Sequence, residues 1–334
     1  MTTFLDIARS KDTLSEQEAY TLQKDILDNK LTTDELLELF AALDRPLSED
    51  ELFGFYRASR EAMVPVSAGS GLLDTAGTGS DGLHTINISS IAAILLAALD
   101  VRVAKHGNRA ATSKCGSADV LEALGIDIEL DAAGVIRSIK ETNFGFMFAP
   151  KFHPAFRHAG PARKAYGKRT YFNFLGPLLN PASADFRLVG IAEPKMMHLM
   201  GSTLMKAGVQ KAWLVHGRDG MDEISTCAIT DVSEFTPGKP VTTFTIDPTA
   251  HGLLLASPLD VRGGDKTENA HIARLILGDE GEEAHANAVI LNVAAGLLIA
   301  GVVSDYTAGI ERARQALKQK VGLQKLEEIN KFRV

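Results

Sequence analysis

Cysteine is nearly missing from this chain: two in 334 residues, Cys115 and Cys227, far apart. That excludes a disulfide framework and a cysteine-built zinc site, and it fits a reducing cytoplasm. Long apolar runs are missing as well. Ile91 to Leu99 and Val293 to Val303 are the most apolar stretches, well short of the roughly 20 residues that span a bilayer, and both read as buried helices. The first twelve residues carry charges where a secretory signal needs an apolar core. There is no basic excess: 35 Lys and Arg stand against 42 Asp and Glu, a net charge of −7. Such a balance argues against nucleic acid or an anionic membrane as a partner. What remains is a chain 45% hydrophobic and 23% charged, which is a soluble globular composition with enough length for one large domain or two unequal ones.

The organisation changes once along the chain. Up to about residue 65 every pattern is helical. Ser15 with Glu18, and Ser48 with Glu51, have capping-box spacing; Leu22, Ile26 and Leu27, then Leu36, Leu37, Phe40 and Leu43 after Thr33, recur at helical intervals. Pro65 to Gly71 is small, uncharged and aperiodic, and reads as a linker. From Leu72 onward short apolar runs (Leu72-Leu73, Val101 to Ala104, Phe144 to Ala149, Leu188 to Ala192, Ala212 to Val215) alternate with helical stretches. That alternation predicts βαβ units and a mainly parallel sheet covered by helices. The last long helical stretches are Asn269 to Leu277, Ala284 to Val303 and Ala308 to Lys318.

Three segments could carry chemistry, each at the end of a predicted strand. Asp74 to Gly82 holds three glycines, Gly77, Gly79 and Gly82, that let backbone N–H groups turn inward toward phosphate oxygens. Asn87-Ile88-Ser89-Ser90 then opens an apolar helix whose N-terminus suits an anion. A tight turn followed by a helix cap reads equally well. The spacing is neither a Rossmann nor a Walker loop. In the second segment, Lys105-His106-Gly107-Asn108-Arg109-Ala110-Ala111-Thr112-Ser113-Lys114 with Gly116 and Ser117 crowds cations and hydroxyls at a strand's C-terminal end, as a polyanion would require. The third, Asp222-Glu223, is either a solvated acidic turn or a pair of hard oxygen donors for a cation such as Mg²⁺. His153 and Arg163, taken alone, belong to an ordinary basic helix.

Together these segments resemble the anthranilate phosphoribosyltransferase family. Gly77-Thr78-Gly79, Asn87-Ile88-Ser89, Lys105 to Arg109, Gly116 to Asp119, Phe148-Ala149-Pro150 through Arg163, Asn173 to Pro181, Gly220 to Glu223, and Gly263-Gly264-Asp265 with Glu268-Asn269-Ala270 follow the family's order and spacing over nearly the whole chain. Ser80 stands where the family often has glycine. The resemblance implies an α/β architecture of the nucleoside phosphorylase and phosphoribosyltransferase type. A small all-helical domain, 1–66, is completed by a segment near 160–180, and a large α/β domain with a mainly parallel central sheet covers 72–334.

It also implies a homodimeric, cytoplasmic enzyme that transfers phosphoribose from phosphoribosyl diphosphate to the amine of anthranilate in tryptophan biosynthesis. Gly77, Ser80, Asp81, Thr85, Asn87, Ile88, Ser89, Ser90, Lys105, His106, Gly107, Asn108, Arg109, Ala110, Ala111, Thr112, Ser113 and Ser117 would hold the donor. Ser89, Asp222 and Glu223 would hold about two Mg²⁺ per subunit. Gly77, Asn108, His153 and Arg163 would face anthranilate, and no residue is expected to act as general acid or base. A nucleoside phosphorylase would need its own phosphate signature, and no convincing one is present. A nucleic-acid-binding relative would need a basic surface and would have no use for Asp222-Glu223.

Overall fold

The computed structural model describes residues 13–79, 81–110 and 114–333. Ser80, Ala111, Thr112 and Ser113, expected at the donor, lie outside them. Three helices come first: α1 (Glu16–Leu27), α2 (Thr33–Ala42) and α3 (Glu49–Glu61). Capping boxes start all three, from Ser15 to Glu18, Thr32 to Glu35 and Ser48 to Glu51, each satisfying N–H groups that a helix start leaves free.

The remaining elements are β1 (Leu72–Gly77), α4 (Ile88–Ala98), β2 (Arg102–Gly107), α5 (Ser117–Ala123), α6 (Ala132–Thr142), β3 (Phe144–Phe148), α7 (Ala149–Phe152), α8 (Gly160–Tyr166) and α9 (Phe172–Leu178). Then follow β4 (Phe186–Gly190), α10 (Met197–Lys206), β5 (Lys211–Gly217), β6 (Thr230–Phe235), β7 (Thr242–Ile246), α11 (Lys266–Leu277), α12 (Glu283–Ile299), α13 (Tyr306–Lys318) and α14 (Val321–Lys331). None of the described helices is long and apolar enough to cross a membrane.

The strands form one sheet in the order β3-β2-β1-β4-β5-β6-β7. Pairing is parallel from β3 to β5 and antiparallel from β5 to β7. This agrees with the mainly parallel sheet expected from the alternation of runs, and it adds an antiparallel edge. The chain leaves β1 toward β2 on one side and returns to β4 on the other. A topological switch point therefore opens between the ends of β1 and β4, where α/β folds place their ligands.

Apolar packing divides by sheet face. On one side the nearly all-apolar α4 packs with α12, α13 and α14, and Ile91, Leu95, Val293 and Leu297 are fully buried. On the other, Leu22, Leu39, Phe55, Leu175 and Met200 share one cluster with Val189 and Leu214 of the sheet. Helices α1 to α3 thus bury their faces against α8 to α10, although more than 90 residues separate the two groups in sequence. Few charges enter this interior. One that does is Arg187 of β4, which pairs with Asp74 of β1 at 3.2 Å and donates to the carbonyls of Pro177 and Leu178.

Candidate active site

At the carboxyl ends of the parallel strands lies a cleft of about 810 Å³. Every described residue among the expected donor, acceptor and metal residues lines it. The glycine turn, the β2 loop and the turn past β5 are far apart in sequence. The shared end of a parallel sheet is what brings them together.

Asp222 and Glu223 form one wall. Asp222 Oδ2 accepts the Gly79 N–H at 2.6 Å, and Glu223 Oε1 accepts the Ser89 N–H at 3.3 Å. The first-turn N–H of α4 expected to meet an anion therefore meets a carboxylate of the chain itself. Two glycines make the approach possible: a Cβ on Gly77 would sit 2.5 Å from Asp222 Oδ2, and one on Gly190 would collide with the Asp222 carbonyl. Burial pushes Asp222 well above the usual carboxylate range, and the charges of Glu223 and Asp81 add to it. Burial also pushes Glu223 up to about 7, with Lys105 pulling the other way. Negative charge is thus crowded here with little to offset it.

Lys105 is the cation nearest that crowd. It is buried, its Nζ donates to the Thr75 carbonyl at 2.5 Å, and burial lowers its pKa against the pull of Asp74 and Glu223. Neighbouring His106 receives support from below, since its backbone N–H donates to Asp74 Oδ1 at 3.1 Å. Asn87 caps nothing with its side chain. It donates instead to the Cys115 carbonyl at 3.1 Å and accepts from Asn269 at 2.8 Å, tying α4 to the next loop and to α11. Arg109 is held away from a free role, its guanidinium paired with Asp119 and Glu122 at 2.9 Å. Asp119 also accepts from the N–H groups of Ala110 and Gly116, and so folds the β2 loop.

The opposite wall is aromatic. His106 and His153 lie 4.9 Å apart, His153 and Phe156 5.3 Å, Phe156 and Phe172 5.3 Å, and the Arg163 guanidinium covers Phe172 at 5.2 Å. Burial lowers both imidazoles to about 3, with cationic neighbours adding to His106, so both are neutral at pH 7. Nε2 of His106 and both ring nitrogens of His153 are buried without a well-formed hydrogen bond. Arg163 is half-buried, burial lowers its pKa, and no carboxylate pairs with it among the described residues. This wall offers flat apolar faces and the Arg163 guanidinium, with Arg157 at the same lining.

Sequence reasoning passed over several contributors. Pro150, Phe156, Gly176 and Pro177 line the cleft but receive no role within their motif segments, and Phe172, on the same lining, looks like an ordinary packing residue. Asp74, Arg187 and Asn269 act from outside or beneath it, and their partners are distant in sequence. A charged residue inside an apolar strand was the one visible signal for Asp74 and Arg187.

Fold and cleft together define a transferase of the glycosyl type: residues 69–320 match the glycosyl transferase family, a/b domain. The chain is 44% identical to anthranilate phosphoribosyltransferase 2 of Streptomyces coelicolor over 91% of each sequence. It is 40% identical to the anthranilate phosphoribosyltransferase of Roseiflexus sp. over 97% of this chain and 95% of that one. The crystal structure of the Thermus thermophilus anthranilate phosphoribosyltransferase superposes with a TM-score of 0.91 at 37% identity, covering 99% of this chain and 98% of that one. This chain belongs to the anthranilate phosphoribosyltransferase family. The fold extends to the Saccharomyces cerevisiae enzyme in complex with PRPP and Mg, with a TM-score of 0.84 at 23% identity, covering 98% of this chain and 92% of that one.

Proposed function

We propose that this chain transfers the 5-phosphoribosyl group from phosphoribosyl diphosphate to the amine of anthranilate, with release of pyrophosphate, in tryptophan biosynthesis. One observation carries the reading: a single cleft joins a crowded carboxylate pair under a glycine turn to an aromatic wall that ends in a guanidinium with no carboxylate partner among the described residues. The first end suits a metal-bound diphosphate, the second a flat aromatic acid.

The donor set fits Mg²⁺. Asp222 and Glu223 are hard oxygen ligands crowded by like charge, and a cation would relieve the burden that raises their pKa values. Among the described residues no three His, Cys, Asp or Glu converge on one point. That suits an ion held through one or two carboxylates, waters and substrate phosphates. Ser89 beside Glu223 completes the assigned ligands, for about two ions per subunit. When bound, Mg²⁺ neutralises charge on the departing pyrophosphate.

The chain's own residues do the rest. The glycine turn and the β2 loop border the phosphate oxygens, with Thr85, Asn87, Asn108 and Ser117 around them. Lys105 contributes positive charge beneath the leaving group. Arg163 takes the anthranilate carboxylate, its fork matching that group, and the ring lies along His153 and Phe172. Asn108 stands near the amine. An aromatic amine is unprotonated at neutral pH, so no strong base is required, and imidazoles held near 3 would make weak ones. Holding the nitrogen beneath the anomeric carbon supplies much of the acceleration.

From the same family resemblance we assign a cytoplasmic homodimer, and a helical domain of residues 1–66 completed by a segment near 160–180. The shared apolar cluster of α1 to α3 with α8 and α9 supports that grouping. The direct test follows anthranilate fluorescence on mixing with phosphoribosyl diphosphate and Mg²⁺. Loss of signal that requires all three components is expected. Stable fluorescence, with phosphorolysis of a nucleoside instead, would overturn the reading.

A further inference from the structure

Gly79 is gripped from both sides. Its N–H donates to Asp222, and its carbonyl oxygen accepts from Arg169 Nη2 at 2.7 Å. The other arm of that guanidinium meets Glu193 Oε1 at 2.8 Å. Arg169 therefore spans the loops that leave β1 and β4, the two strands flanking the switch point. Thr78 joins the same loops, donating its N–H to the Gly190 carbonyl and accepting from Ala192 N–H at its hydroxyl, both at 2.9 Å.

Arg169 does not line the main cleft. It borders a neighbouring cavity of about 280 Å³ and reaches the cleft only through Gly79. It lies six residues after Arg163, on the short connection between α8 and α9. The connection begins at Gly167, whose φ of +69° is the left-handed turn that ends α8. One guanidinium thus ties the glycine turn to the segment bearing the aromatic wall.

The chemistry of the turn gives the tie a purpose. A loop that borders a diphosphate must keep its carbonyl oxygens out of the anion's reach, because oxygen facing oxygen repels. A carbonyl committed to a guanidinium is both withdrawn and electrostatically satisfied. The planar fork serves Gly79 and Glu193 at once, which a lysine's single ammonium on a flexible stem does poorly.

We propose that Arg169 is a positioning residue for the donor: it holds the Gly79 carbonyl aside and so presents the Gly77–Gly79 turn to the diphosphate. The inference rests on the donor reading above. The experiment titrates wild type, Arg169→Ala and Arg169→Gln with phosphoribosyl diphosphate and Mg²⁺ by calorimetry, then measures KM for each substrate. Both variants should bind donor about tenfold more weakly, the loss expected for one charged hydrogen bond, while KM for anthranilate stays within about twofold. Millimolar guanidinium should restore donor affinity to Arg169→Ala and leave wild type unchanged.

A purely structural role would weaken both substrates together and would not respond to guanidinium, and that result overturns the proposal. So does unchanged donor affinity in a folded variant. Arg169→Gln is shorter and uncharged but keeps an amide N–H donor and the apolar stem, and it carries the test if the alanine variant does not fold. A wild type that fails to bind phosphoribosyl diphosphate would instead overturn the functional reading, and the role of Arg169 with it.

Discussion

Asp222 Oδ2 lies 2.6 Å from the Gly79 amide, so a carboxylate from the turn past β5 holds the glycine turn past β1. The two strands are not neighbours, since β4 runs between them. The contact crosses above β4 because Gly190, at that strand's end, has no side chain to obstruct it. Carboxylate, turn and switch point form one unit, and the consequences can be measured.

Replacing the carboxylates tests the unit directly. Asp222→Asn with Glu223→Gln retains the shape and removes the charge that would hold Mg²⁺. Turnover should fall at least ~100-fold, because metal charge stabilisation contributes several kcal/mol to such a transition state. Magnesium titration of steady-state rates provides the check. Full activity of the double variant at low Mg²⁺ would remove the pair from the site.

A methyl group at Gly190 tests the geometry rather than the charge. The added Cβ of Gly190→Ala would run into the Asp222 carbonyl, and backbone on both sides leaves little room to yield. Destabilisation of about 1–3 kcal/mol is expected, the usual cost of overpacking, together with a drop in turnover as Asp222 shifts. Gly160→Ala is the control, since a Cβ there meets nothing within 4 Å. Thermal unfolding of the two variants should separate them. Equal melting temperatures would show that the turn relaxes freely.

The neutral imidazoles predict a pH signature. His153 is held near 3 in the fold, against about 6.5 in an unfolded chain. Above pH 6.5 neither state binds the proton and His153 contributes nothing. Below it the unfolded chain takes the proton first, so stability is lost as pH falls, by about 1.4 kcal/mol per pH unit until the folded pKa is reached. Relative to wild type, His153→Gln should therefore gain roughly 2 kcal/mol between pH 7 and pH 5 in urea unfolding. A constant difference between the two proteins across that range would contradict a buried neutral ring.

Local rules made much of the fold legible. Ser15 with Glu18 and Ser48 with Glu51 marked helix starts, and the apolar runs marked β1 to β5, because capping and strand burial act within a few residues. The second helix begins one residue earlier than read, with Thr32 as its cap. Strands β6 and β7 escaped notice: Thr242–Ile246 at the sheet edge is mostly exposed and has no apolar run. So did α14, which follows Lys320, a residue in a left-handed conformation that offers no capping side chain. In the cleft, residues on motif-bearing turns were visible. Those holding the turns from afar were not. Nothing near Arg169 in sequence points to the Gly79 carbonyl 90 residues away, and only the folded chain brings them together.

The acceptor end yields the most specific prediction. Anthranilate is flat, apolar on both faces and anionic at one edge. The cleft answers with aromatic faces from Phe156 and Phe172 and with the Arg163 guanidinium, which has no carboxylate partner among the described residues. Burial lowers the Arg163 pKa because the guanidinium loses water, and a guanidinium remains charged at neutral pH. A charge stripped of solvent and left unpaired is poised to gain from an incoming carboxylate. Arg163→Ala should raise KM for anthranilate roughly 10- to 100-fold, the range for one charged hydrogen bond or a bidentate pair, and the donor KM should move much less. The same variant should lose its preference for anthranilate over aniline, since the two acceptors differ at the carboxylate. Competition between them, measured as a ratio of kcat/KM in wild type and variant, decides the matter. If the ratio is the same in both proteins, another residue reads the carboxylate and Arg163 does no more than cover Phe172.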